Sequence, residues 1–141
     1  MNAHLLTERG ILYTLGYSAP GAATQLERYM HNPHILLVDV RLRPASRWAK
    51  EWNKTALISR YGERYRWEPR LGNLHFKSRT LPILLAPDHP NAIAELASLV
   101  LSGTSLVLLC ACSDGRTCHR TLVARLIQDA LPVPVCCWEV R

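Results

Sequence analysis

The chain has 141 residues, of which 48% are hydrophobic and 20% charged; that suits one domain with a real core and excludes a disordered polypeptide. No apolar run approaches the ~20 residues that a membrane helix requires, and the opening residues hold no apolar core of signal-peptide length. The formal net charge of +6 leaves an anionic partner open, and the expectation is a cytoplasmic protein with no membrane partner.

In chain order, residues 11–15 form a short β-rich run that ends at Gly16. Residues 22–30 read as a helix. Residues 35–40 are continuously apolar up to Asp39, the pattern of a strand buried on both faces. Residues 47–61 read as a helix with Trp48 and Trp52 spaced i, i+4. Residues 65–67 suit a short strand, and Leu71-Gly72-Asn73 a turn. Pro82, Pro87 and Pro90 punctuate a loop. Residues 91–102 read as a helix capped by Asn91 or Asp88 and stopped by Gly103. Residues 105–112 form a second fully apolar strand, and 113–117 a polar loop. Residues 119–130 form an amphipathic helix with Leu122, Val123, Leu126 and Ile127 on one face, and 132–140 a last strand. Strands alternate with helices and the central strands are apolar throughout. This predicts a single α/β domain over residues 1–141, a mostly parallel sheet with helices on both faces in three α/β/α layers.

Charge is concentrated. Residues 41–79 hold eleven Lys and Arg against three acids, together with six of the ten aromatic residues. A basic aromatic segment in an otherwise weakly acidic chain suits an anionic ligand or a nucleic acid; the plain alternative is a solvated connection whose aromatics pack on the sheet. The five cysteines fall at 110, 112, 118, 136 and 137. An odd, clustered set is not a disulfide framework and suits reduced thiols.

Ligands of open parallel sheets bind beyond the carboxyl ends of strands. Three polar groups fall at such ends: Gly16-Tyr17-Ser18, Asp39-Val40-Arg41 and residues 110–120. They converge if the three strands are neighbours. The last group leads into a helix N-terminus, where free N–H groups and the helix dipole favour an anion. Arg116 and Arg120 add forked donors, and a thiol in that field becomes more nucleophilic. The spacing from Cys110 to Arg116 is that of cysteine phosphatases, and the layout resembles rhodaneses. Against this, Leu109 stands where a phosphatase has His, and only three residues separate Cys112 from Arg116. Cys110, Cys112, Cys118 and His119 are also four soft metal ligands. But no Cys-x2-Cys occurs and adjacent Cys118 and His119 diverge, so no metal is expected. Cys136 and Cys137 point to opposite faces of a strand as small buried hydrophobes.

Together these segments resemble the family known as domain of unknown function 488. The resemblance rests on Leu12-Tyr-Thr-Leu-Gly-Tyr-Ser18, on Leu37-Val-Asp-Val-Arg-Leu-Arg-Pro-Ala-Ser-Arg47, on Tyr65-Arg-Trp-Glu-Pro-Arg-Leu-Gly72, and on Leu108-Leu-Cys-Ala with Cys118-His-Arg120. It spans about residues 11–130. It implies an α/β fold and a site shared by Gly16, Ser18, Asp39, Arg41, Pro44, Ser46, Arg47, Leu71, Gly72, Cys110, Cys118, His119 and Arg120, but no particular activity. Cys112 departs from the family's acidic residue and Arg116 lies outside its pattern, which moves the weight to Cys118-His119-Arg120.

The leading expectation is a site for a phosphate- or nucleotide-like anion, with or without catalysis. Asp39 and His119 are its acid/base candidates and Cys118 or Cys110 its nucleophile. Arg41, Arg47 and Arg120 are the anion clamps, with Ser18 and Ser46 as hydroxyl donors. The sequence does not identify a cofactor. The alternatives are a nucleic-acid module using residues 41–79, a rhodanese- or phosphatase-like cysteine enzyme, and a non-catalytic interaction domain.

Overall fold

The computed structural model describes residues 9–112, 118–132 and 138–140, the last three by backbone alone. Five parallel strands form one sheet: β1 (Leu12–Gly16), β2 (Ile35–Asp39), β3 (Tyr65–Trp67), β4 (Ser105–Cys110) and β5 (Trp138–Val140). Their order is β3-β2-β4-β1-β5. Four helices connect them: α1 (Ala22–Met30), α2 (Lys54–Tyr61), α3 (His89–Leu101) and α4 (His119–Asp129). No helix is long and apolar enough to cross a membrane among the described residues.

Strand alternation divides the core into two layers. Leu12, Val38, Leu106 and Leu108 pack with Leu96 and Val100 of α3 and with Val123 and Ile127 of α4. The intervening residues Leu15, Leu37, Val107 and Leu109 pack with Leu26 and Tyr29 of α1, with Trp52 and with Leu57 of α2. Because both faces are covered, β4 is apolar at nearly every position, as fully buried parallel strands are. The fold is therefore α/β, as expected.

Three elements differ by more than one residue from the sequence expectation. Residues 47–61 are not one helix: a 3-10 turn spans Lys50–Trp52, Asn53 is extended at φ −72° and ψ 152°, and only then does α2 begin. Trp48 and Trp52 consequently share no face; Trp48 is 93% exposed and Trp52 5%. Helix α3 starts at His89 rather than Asn91, with Pro90 in its first turn, where a missing N–H costs nothing. No side-chain cap forms there, but Gly103 follows the helix at φ 102°. Strand β4 stops at Cys110, two residues early. The chain turns across the end of β1 instead, so that a Cβ on Gly16 would lie 1.5 Å from the Cys112 carbonyl oxygen. Only a glycine admits that approach. Of the expected last strand, β5 covers Trp138–Val140; residues 133–137, with Cys136 and Cys137, lie outside the described residues, as do 113–117 with Arg116.

Candidate functional site at the carboxyl edge of the sheet

Strands β2, β4 and β1 are consecutive neighbours, so described members of the three polar groups at their carboxyl ends come together, Ser18 excepted. They border a cleft of about 410 Å³, within the usual range for small-molecule sites. Its wall includes Tyr17, Arg41, Arg43, Ser46, Cys112 and His119.

One wall is organised by Asp39, which ends β2 and is fully buried. Its carboxylate accepts two bonds from the Arg41 guanidinium, at 2.8 Å from Nε and 2.7 Å from Nη2. It also accepts the Tyr65 hydroxyl of β3 at 2.5 Å and the Arg41 backbone N–H at 3.1 Å. Arg41 Nη2 donates further to the Trp52 carbonyl at 2.5 Å. Burial by itself would lower the Arg41 pKa, but the Asp39 carboxylate outweighs it and the guanidinium is held charged. Burial, and then the Asp39 charge, push the Tyr65 hydroxyl far above its ordinary value, so it stays a donor. The guanidinium lies over the Tyr17 ring at 5.4 Å, and Tyr17 stacks on Trp52 at 5.5 Å. With every lone pair engaged, Asp39 acts as the support of Arg41.

The loop that carries this wall onward is held by side-chain bonds. Ser46 Oγ accepts the N–H groups of Trp48 and Ala49, and Asn53 exchanges bonds with the Ser46 backbone. Gly72 sits against Leu42, where a Cβ would lie 2.8 Å from the Leu42 Cα. This close packing of the Leu71-Gly72 turn brings Asn73, Phe76 and Ser78 to the cleft.

The opposite wall is a thiol cluster. Cys110 ends β4, Cys112 follows it, and Cys118 immediately precedes α4. Their sulfurs lie within 4.8 Å of one another, and Cys110 and Cys112 are 3.9 Å apart. His119, the first residue of α4, bonds through Nε2 to the Val40 carbonyl at 2.7 Å. A carbonyl only accepts, so Nε2 carries the proton. Nδ1 then faces Cys110 Sγ at 3.6 Å and Cys118 Sγ at 3.9 Å. The expectation that adjacent Cys118 and His119 diverge does not hold. Cys118 has an extended backbone, φ −92° and ψ 143°, before the helix begins, which turns both side chains to one side. The three thiols share their protons. Hydrogen bonds from Cys110 and then Cys118 hold exposed Cys112 below the usual thiol range, while the same contact with Cys112 pushes Cys110 up. Cys118 is raised as well, by Cys110 first. Burial opposes a charge on His119, but its contacts with Cys118 and Val40 raise its pKa on balance.

Of the residues nominated from sequence, the structure brings Arg41, Ser46, Cys110, Cys118 and His119 to the cleft. Asp39 stands behind Arg41. Arg120 is fully buried and donates from Nη1 to the Cys112 carbonyl at 2.8 Å. Ser18 and Arg47 are exposed and stand outside the cleft lining. Arg43, Asn73, Phe76 and Ser78 escaped the sequence reading. Arg43 alternates with Arg41, a signal that was available; the other three sit in a loop with no periodicity to mark them.

Much of the basic segment is internally paired. Arg64 donates to the Met30 and Asn32 carbonyls. Arg66 and Arg70 both bridge Glu68 and Glu95, between 2.7 and 2.9 Å. Trp52 and Tyr65 are buried.

No curated protein and no solved structure matches the chain. The family described as domain of unknown function DUF488 matches residues 25–127, from within α1 almost to the end of α4 and well over half of the chain; the chain belongs to that family.

Proposed function

We propose that the chain binds a phosphate- or nucleotide-like anion in the cleft at the carboxyl ends of β1, β2 and β4. The observation that carries this reading is the mounting of Arg41. Its guanidinium is gripped by Asp39, Tyr65's partner carboxylate, and laid over Tyr17 at the cleft wall. A cation held in one geometry binds an anion without loss of side-chain entropy. Since Asp39 balances its charge, the attracting surplus comes from neighbouring Arg43, with the N-terminus of α4 in support. Ser46, Asn73 and Ser78 supply neutral donors, and Tyr17 and Phe76 offer ring faces for a base. Asp39 has the part of a positioning residue in this reading, and Arg120 supports the wall through the Cys112 carbonyl.

The test is calorimetric titration of inorganic phosphate, nucleoside monophosphates and sugar phosphates into the parent and into Arg43→Gln. Arg43 is exposed, so the substitution leaves the fold alone. A charged hydrogen bond contributes about 1.5–3 kcal/mol, so affinity should fall at least about tenfold. Absence of binding by all three classes, or equal binding by Arg43→Gln, would overturn the reading.

A further inference from the structure

We infer that Cys110, Cys112 and Cys118, with Nδ1 of His119, form a tetrahedral site for a soft divalent metal ion, zinc above all. The inference does not rest on the anion reading, although the thiols line the same cleft. Zinc takes thiolate at about 2.3 Å and imidazole at about 2.0–2.1 Å in tetrahedral array. Those bond lengths require ligand pairs about 3.8 Å apart for sulfur to sulfur and about 3.6 Å for sulfur to nitrogen. Cys110 and Cys112 are 3.9 Å apart. Nδ1 is 3.6 Å from Cys110 Sγ and 3.9 Å from Cys118 Sγ. All three sulfurs fall within 4.8 Å of one another. The three sulfurs, and Nδ1 with two of them, thus stand near the spacing of a ligand set before any ion is added; Nδ1 lies outside the 4.8 Å group that the sulfurs make, so exposed Cys112 must move toward it to close the tetrahedron.

Two further features belong to metal sites. First, His119 donates Nε2–H to the Val40 carbonyl at 2.7 Å. A backbone carbonyl or carboxylate on the far nitrogen is the usual second partner of a ligating histidine, and it turns the Nδ1 lone pair toward the sulfurs. Second, positive charge lies close by, as a set of three thiolates around a divalent ion requires. Arg120 donates to the Cys112 carbonyl at 2.8 Å, and the N-terminus of α4 adds its dipole. Binding replaces the protons that the thiols still carry with the ion and releases them to solvent; no oxidant or reductant is involved. Soft sulfur donors with one imidazole select zinc over magnesium or calcium. Four protein ligands leave no open position, so the ion's part is structural. It would tie the end of β4 to the start of α4 across residues 113–117 of the sequence.

The experiment is an anaerobic titration of the chelator-treated, fully reduced chain with cobalt(II), followed by zinc. One equivalent of cobalt should produce a thiolate-to-cobalt charge-transfer band and the strong visible bands of a tetrahedral centre, and zinc should abolish both. X-ray absorption of the zinc form should give three sulfurs and one nitrogen. Cys112 is exposed, so Cys112→Ser should fold; its circular dichroism is the control. That variant should bind zinc more weakly by over about tenfold, the lower figure for losing even an outer-shell partner. A Cys136→Ser/Cys137→Ser chain should retain the full spectrum. The inference is overturned if cobalt gives no charge-transfer band, if Cys112→Ser binds as the parent does, or if the double variant loses the band. Phosphate titrations need no part in this, so either proposal can fail alone.

Discussion

Replacing Asp39 by Asn removes one charge and keeps the shape, in a buried polar cluster. The carboxylate has no exposure and Arg41 only 6%. In the variant, the Arg41 guanidinium loses its buried counter-charge and the amide cannot accept all four bonds that Asp39 now accepts. Stranding one partner of a buried ion pair costs about 3–5 kcal/mol. The whole domain holds about 5–15 kcal/mol, so much of its stability is at stake. At about 4 °C per kcal/mol for a chain of this size, Tm should fall by roughly 12–20 °C. Urea unfolding followed by circular dichroism gives the free energy directly. Asp39→Asn/Arg41→Met completes the cycle. With both partners gone no charge is stranded, and the double variant should be more stable than the sum of the single effects by about 2 kcal/mol or more. A loss below about 1 kcal/mol in Asp39→Asn, or additive effects around the cycle, would refute the reasoning.

Three other outcomes can be checked on the same footing. Trp48→Ala should leave urea stability within about 0.5 kcal/mol of the parent, whereas Trp52→Ala should cost about 3–5 kcal/mol; equal losses would restore the single helix that the sequence suggested. Gly16→Ala drives a methyl into the Cys112 carbonyl and should destabilise by about 3 kcal/mol, read as a lower urea midpoint, while an unchanged midpoint would mean that the loop yields freely. Burial opposes the charge of Glu68, but its bonds to Arg70 and Arg66 outweigh that and lower its pKa. Its folded value therefore lies below its unfolded one, near 4.3. Stability from Glu68 is present above that pH and lost as pH falls through the folded value. Glu68→Gln should thus flatten the acid limb of stability against pH below about 5, and an identical limb in the variant would remove Glu68 from the account.

The layer arrangement was legible because it depends on short-range pattern. The runs before Asp39 and Cys110 are apolar at consecutive positions, and only strands covered on both faces require that. The apolar face of α4 and the stop at Gly103 follow from helical periodicity and backbone freedom in the same way. Where several local choices were compatible with the pattern, the sequence misled. Trp48 and Trp52 fit a helical face, yet the Asn53 side chain ties back to the Ser46 backbone and the chain is extended there. Pro90 looked like loop punctuation, yet it fits the first turn of α3.

The site divides along the same line. Its address, the carboxyl ends of the two apolar strands and the start of α4, followed from residue types at strand ends. What those residues contact was decided by partners far along the chain. Asp39 carries the signature of an acid or base until Tyr65, 26 positions on, and Arg41 occupy its oxygens. Arg120 counts as an anion clamp until the first turn of α4 places it against the Cys112 carbonyl, wholly buried. Adjacent Cys118 and His119 converge with Cys110 only because the helix starts between them and Val40, 79 positions away, takes the far nitrogen of the ring. Sequence determines which chemistry each side chain can offer; the parallel packing of β2, β4 and β1 decides which groups meet, because hydrogen bonds and ion pairs act over a few ångströms of space without regard to distance along the chain.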